Sequence, residues 1–216
     1  MKYDLTKKTN RFAERTLKDF SETLFSLVEK KKFEDITVNE LCNACNYPRA
    51  TFYNYFQDIY DLLDYCWENM SKEIKIQDYK SITPEERTQV LFERLYTFFE
   101  KKKDTVDRIM SNNEIDGAMA ESLKRFMLLK IKEIVSSCEN INNQSVPFEL
   151  IVMHYSNTLQ MILEFCFLRK DLISKEEAQI SIDYLLVSLE KKGKLLWFYI
   201  FPQQEILNMS QRELQK

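Results

Sequence analysis

The sequence predicts an all-α protein, and three observations carry that expectation. Its 216 residues include only 2 Gly and 4 Pro, and so few breakers leave long helices joined by short connections. Apolar residues recur every three or four positions over most of the chain, the period of one helical face. Helix-start signals recur too, at Thr37-x-x-Glu40, Thr83-Pro84-Glu85-Glu86 and Ser174-x-x-Glu177. Each puts a hydroxyl where an orphan N–H needs an acceptor and a carboxylate three residues further on. With 44% apolar and 30% charged residues, the chain has the balance of one that buries a core.

Residues 1–9 read as a polar arm. The first helix is expected over about 10–30, where Ala13, Leu17, Phe20, Leu24, Leu27 and Val28 share a face. Lys30, Lys31 and Lys32 close it with charge that suits a helix C-terminus, and Phe33 and Ile36 anchor the loop beyond. A short second helix spans 37–45, with Val38, Leu41, Cys42 and Cys45 on one face. Asn46 stands where a helix stop needs a left-handed residue, and Asn is the usual substitute for Gly there. Pro48 is placed to open a third helix, whose Phe52 and Phe56 point inward. A fourth starts at the N-cap Asp58, with Asp61 in its first turn, and runs to about 76 through Leu62, Leu63, Cys66, Trp67 and Met70.

After a polar break at 77–83, a helix opens at Pro84 and continues through Val90, Leu91, Leu95, Phe98 and Phe99 to Lys101-Lys102-Lys103. A short helix over 104–110, a loop at 111–113 and a longer helix over about 114–137, with Gly117 inside it, follow. Residues 138–147 form the most loop-like stretch. The helix over 148–169 is apolar on nearly every side, so it is expected to be buried, one side facing another chain. A last long helix runs from 174 to about 191. Gly193 interrupts, and the apolar segment 195–201 ends at Pro202.

Two short helices joined by about three residues, the second rich in groups that bond phosphates and bases, form a helix-turn-helix. Thr51, Tyr53 and Tyr55 carry hydroxyls suited to phosphates. Arg49 can fork onto guanine O6 and N7, and Asn54 or Asn39 can read adenine or meet a phosphate.

At these residues the chain resembles the DNA-binding domain of the tetracycline-repressor-like regulators, the TetR/AcrR family. The resemblance rests on Thr37, Leu41-Cys42, Cys45-Asn46-Tyr47, the run Thr51-Phe52-Tyr53-Asn54-Tyr55-Phe56, then Asp58 and Leu62-Leu63. It covers about 8–70; the rest matches in length and helical character. The departures are Asn46 for the turn Gly, Cys42 for a small Ala, and Ile59 for a Lys that would meet a phosphate. The resemblance implies a reader over 1–57 and a ligand-binding and dimerisation part over 58–216. It places Arg49, Ala50 and Thr51 at the base-facing turn, Tyr53 and Tyr55 as phosphate clamps, and Asn39 at the groove. Thr37 serves as both cap and phosphate contact. It further implies a homodimer through the helices at about 148–170 and 175–191, bound to a palindromic duplex operator. An unknown small-molecule effector would release it, in a pocket for which Tyr96, Phe126, His154 and Asn157 are candidates.

Net charge is −3 and the pI about 5.5, awkward for a partner bound through phosphates. The resolution expected is local: Lys2, Lys7, Lys8, Arg11, Arg15 and Lys18 crowd one end of an acidic body. The acidic balance and Ile59 favour an alternative, a helical interaction protein whose degenerate reader binds a protein partner. Cysteines at 42, 45, 66, 138 and 166, a polar N-terminus and no membrane-length apolar run read as a cytoplasmic protein with reduced thiols. Cys42-x-x-Cys45 lacks the second pair or histidines of a zinc site, so both thiols read as packing, with a thiol redox or metal sensor as a third reading. A single histidine, no Gly-rich phosphate loop and no Ser/His/Asp set argue against an enzyme, and no cofactor or metal is expected.

Overall fold

Helix α1, Arg11–Val28, buries Ala13, Leu17, Phe20, Leu24 and Val28 as the spacing predicts. It belongs to a computed structural model that describes residues 11–137, 146–169 and 173–190. Among the described residues every regular element is helical. After a 3-10 turn at Phe33–Asp35 come α2 (Val38–Ala44), α3 (Arg49–Tyr55) and α4 (Ile59–Ile74). Phe20 holds these together. Phe52 and Phe56 meet its ring edge-on at 5.4 and 6.2 Å, and Tyr47 lies tilted at 5.3 Å, arrangements that add to plain burial. Helix α4 stops where Lys75 turns left-handed at φ 59°, and a 3-10 turn, Ile76–Ser81, fills the polar break.

The body continues with α5 (Pro84–Lys101), α6 (Lys103–Asn112), α7 (Ala118–Ser136), α8 (Phe148–Leu163) and a π turn, Glu164–Leu168. Two boundaries and one burial pattern differ from expectation. The loop expected at 111–113 is largely helix, because α6 runs through Asn112. Gly117 is not inside α7 but caps its start, at φ −72° and ψ 173°. Helix α8 is not buried all round. Ile151, Val152, Ile162 and Leu163 face inward, while Leu150, Met153 and Met161 are 57%, 49% and 44% exposed.

The chain divides into two compact units, Met1–Leu172 and Ile173–Lys216. In the first, the hydrophobic core is continuous from the head into the body. The cluster formed by α1 to α4 includes Ile109 of α6 and Met119 and Phe126 of α7. In the second, α9 (Lys175–Glu190) starts in a complete capping box. Glu177 N–H donates to Ser174 Oγ at 3.1 Å, and Ser174 N–H to the Glu177 carboxylate at 2.8 Å. Ala178, Ile182 and Leu186 are buried, whereas Ile180 and Tyr184 are exposed. The arm at 1–9, Cys138, Gly193, the segment 195–201 and Pro202 lie outside the described residues. No described helix is long and apolar enough to cross a membrane.

Candidate nucleic-acid interface

Each part of the α2–α3 head is positioned by a local cause. Thr37 caps α2, its hydroxyl accepting from Glu40 N–H at 3.2 Å. The other half of the expected box is diverted, because the Glu40 carboxylate takes Lys31 Nζ at 2.6 Å and so ties α2 to the end of α1. Asn46 adopts φ 57°, and Tyr47 N–H closes the turn on Cys42 O at 2.9 Å. The Tyr47 hydroxyl donates to Asp19 at 2.8 Å. That carboxylate raises the phenol's pKa by holding its proton. Pro48 sits at the N-cap of α3 rather than its first position, with φ −61° and ψ 145°, and accepts from Thr51 N–H at 2.9 Å.

With Phe52 and Phe56 fully buried, the opposite side of α3 is left to solvent. Arg49, Ala50, Tyr53 and Asn54 are exposed there, with Thr51 half-buried; Thr37 and Asn39 of α2 are exposed as well. One expected contact fails. Tyr55 is only 8% exposed, and its ring lies against Phe56 at 6.3 Å. Phe52, Tyr55 and Phe56 are spaced i, i+3, i+4, which puts all three on the inner face, so Tyr55 is a packing residue and not a phosphate clamp. Asn43, exposed and one turn on from Asn39, belongs to the same face of α2. Its i, i+4 spacing was the signal available for it.

Arg49 is the sole cation between Thr37 and Gln57. Its Nη2 donates to Tyr53 Oη at 3.2 Å and its guanidinium lies 5.7 Å from the ring centre. That bond raises its pKa further, so it stays charged. Arg11, Arg15 and Lys18 are exposed on α1. Among the described residues Arg15 and Lys18 make loose surface pairs, 3.8 Å to Asp19 and 3.6 Å to Glu22, of the kind that contributes little and re-pairs easily. Ile59 is buried in the head's core. The lysine's phosphate contact is thus replaced by packing.

The four candidate effector residues do not converge. Tyr96 packs between Phe92, at 5.8 Å, and Phe167 of the π turn, at 5.0 Å. Phe126 lies in the head-side core with Lys130 over its ring at 5.4 Å. His154 and Asn157 are exposed on α8 beside Leu150, Met153 and Met161. The spacing 150, 153, 154, 157, 161 is one helical stripe, so His154 and Asn157 belong to an outer face and not to a lining shared with Tyr96 and Phe126. Of the thiols, Cys42 is buried and Cys45 half-buried, and burial raises both pKa values. Burial pushes Cys166 up to about 11 and Cys66 up to about 12. None of these four is set up as a ready thiolate.

No protein-family model matches the chain, and no curated protein matches it in sequence. Solved structures do match in fold. One described as a TetR-family transcriptional regulator from Syntrophomonas wolfei superimposes with a TM-score of 0.63 at 17% identity, covering 84% of this chain and 98% of its own. The fatty acid degradation regulator FadR from Bacillus halodurans gives 0.56 at 14%, covering 87% and 99%. The dihydroxyacetone kinase operon activator DhaS gives 0.52 at 16%, covering 81% and 96%. The fold is therefore that of the tetracycline-repressor-like regulators: an all-α chain with a helix-turn-helix head at its N-terminal end.

Proposed function

We propose that this protein is a DNA-binding transcriptional regulator that reads a palindromic operator as a homodimer. The observation that carries the proposal is the outer face of α3. Arg49, Ala50, Tyr53 and Asn54 stand exposed on a helix whose other side is pinned by two fully buried phenylalanines. A rigid rod of this kind is what a major groove admits. Thr37, Asn39 and Thr51 flank the rod with hydroxyl and amide groups for phosphates, and the α1 cations supply the charge that the head lacks. The functional division runs at 57/58, a reader over 1–57 and a ligand-binding and dimerisation part over 58–216.

The second copy is proposed at about 148–170 and 175–191. It is supported by the exposed apolar side chains of α8, and separately by those of α9. A head of this size also needs two half-sites a helical turn apart. A small-molecule effector is proposed in the body near Tyr96, Phe99 and Phe167, where α8 ends in a π turn, a form frequent at functional sites. Effector binding there would change the separation of the two heads and release the operator, the behaviour of a repressor. Gel shift of the full chain against duplexes selected from a random pool tests the core of this reading. A slow band whose sequence is enriched and two-fold symmetric supports it, and no binding at low salt by a folded dimer sinks it.

One observation favours a second reading, a helical interaction protein bound to a protein partner. The stretch from Thr37 to Gln57 carries a single cation, and Ile59 is buried where the family's pattern has Lys. Binding that ignores salt would select it.

A further inference from the structure

Helix α1 closes only part of its own end: the N–H groups of Lys30 and Lys31 both donate to Leu27 O, at 2.9 and 3.1 Å, and Val28 O and the carbonyls beyond are met from elsewhere. Its last carbonyls need partners, yet the residues beyond Val28 are Glu29-Lys30-Lys31-Lys32, with no Gly or Asn to turn the chain left-handed. The partners come from more than eighty residues away, at the α6–α7 corner. Asn113, 7% exposed, donates from Nδ2 to Val28 O at 2.9 Å and Ile109 O at 3.0 Å, with a longer contact to Lys31 O at 3.4 Å. Its Oδ1 accepts from Phe33 N–H, the start of the 3-10 turn, at 2.8 Å. Asn112 Nδ2 reaches Glu29 O at 2.9 Å.

The debt runs the other way as well. Gly117, at the N-cap of α7, has no side chain to offer, and the acceptor comes from the head. Ala118 N–H donates to the Glu34 carboxylate at 2.7 Å, a negative charge at a helix N-terminus, where it is stabilised. The glycine makes room for it, since a Cβ there would stand 3.2 Å from Glu34 Oε1 and 3.3 Å from Glu114 O. Two ion pairs rim the corner, Lys32–Glu114 at 2.7 Å and Arg108–Glu29 at 2.6 Å.

Helix α4 is tied to the same corner through α7. Trp67 Nε1 donates to Ser122 Oγ at 3.0 Å, that hydroxyl to Asp64 at 3.2 Å, and Lys130 pairs with Glu68 at 2.9 Å. All three links bind α4 to α7.

We propose that Asn113 is the positioning residue that sets the angle of the reading head on the body. In this account α1 and α7 exchange caps across the α6–α7 corner. A shift of α6 or α7 is delivered to the head through Asn113 and Glu34, with α4 carried along by α7. The inference rests on the reader proposed above and specifies how that reader is held.

The test uses the full-length protein and two variants. Asn113→Asp keeps the acceptor for Phe33 N–H and removes both donated hydrogens. Glu34→Ala removes the exposed half of the exchange, and so covers the case in which the buried substitution fails to fold. Amide hydrogen exchange is read without DNA. It should accelerate about tenfold over 29–36 and stay unchanged over 50–56. Affinity is then read on two duplexes selected by the wild-type protein, one with both half-sites and one with a single half-site. The variants should lose about tenfold on the two-site duplex and nothing on the half-site, because a purely structural defect in the head would weaken both equally. Unchanged exchange over 29–36 overturns the inference, as does an equal loss on both duplexes. Variants that lose nothing where the wild type binds sink the inference and spare the reader. A folded wild type that selects no duplex sinks the reader, and Asn113's role falls with it.

Discussion

Arg49 and Tyr53 form a pair on the outer face of α3, the guanidinium bonded to the phenol oxygen at 3.2 Å and resting 5.7 Å from its ring centre. An exposed arginine is ordinarily free among its rotamers, and ordering it on binding costs entropy. Tyr53 restricts that freedom in advance and aims the fork away from the core. Arg49→Ala is expected to lower affinity for the selected duplex on the order of tenfold or more and to relax preference at one base position. Tyr53→Phe keeps the ring and removes the bond, so it should cost less and leave the preferred base unchanged. Fluorescence anisotropy on base-substituted duplexes checks both, and equal affinity of Arg49→Ala for all of them would remove Arg49 from the readout.

At Gly117, an added methyl group would press on Glu34 Oε1 and Glu114 O, and Ala is a poor N-cap besides. Gly117→Ala is expected to destabilise by about 1 kcal/mol. The cost should shrink in a Glu34→Ala background, where the crowded carboxylate is already gone. Urea unfolding of the four proteins of this cycle measures the coupling; additive losses would show that the glycine and the carboxylate act separately.

Acid should loosen the same corner. The ammonium of Lys32 holds the Glu114 carboxyl below its ordinary 4.5, and Glu114 holds Lys32 above its ordinary 10.5. A depressed carboxyl contributes stability above 4.5 and loses it as pH falls through the lowered value. A raised lysine contributes below 10.5 and loses it as pH rises through the raised value. Amide protection over 29–36 is therefore expected to be level across neutral pH and to fall in acid, and Glu114→Gln should flatten that fall. Because the pair is solvent-exposed, the effect is small and shrinks with salt.

Thiol chemistry separates the regulator from a redox sensor. Burial disfavours the thiolates of Cys42, Cys66 and Cys166, and the thiol of half-buried Cys45 is raised as well. Among the four described thiols, native alkylation followed by peptide mass spectrometry should label Cys45 first and slowly, with Cys42, Cys66 and Cys166 following only on unfolding. Rapid labelling of Cys42 in the folded protein would revive the sensor.

The exposed stripe of α8 carries the dimer proposal. Met153→Glu puts a charge at its centre, and sedimentation should show the wild type at twice the chain mass and the variant shifted toward a single copy. A wild type that sediments as one copy would contradict the dimer directly.

Much of the fold was legible because its signals are local. The box at Ser174 and Glu177, the cap at Asp58 and the left-handed Asn46 each depend on residues within one turn, and each is in place. The burial of Tyr55 was also legible, in its spacing from Phe52. Helix α8 was harder, since apolar residues on both sides leave periodicity unable to tell inner from outer. For that reason His154 and Asn157 were expected in a pocket and lie on an exposed face. Nothing local announces that Asn113 caps α1 or that Glu34 caps α7. Such partners are brought together only by the packing of helices 80 or more residues apart.

The proposed reader requires that the α2–α3 face bind duplex DNA through phosphates and bases. Affinity of the full chain for a selected duplex across a salt series, with Arg49→Ala alongside, decides this. Log affinity should fall linearly as log salt rises, and Arg49→Ala should bind more weakly at every salt concentration. A folded protein that binds no duplex at low salt, or binds one with no dependence on salt, would rule it out.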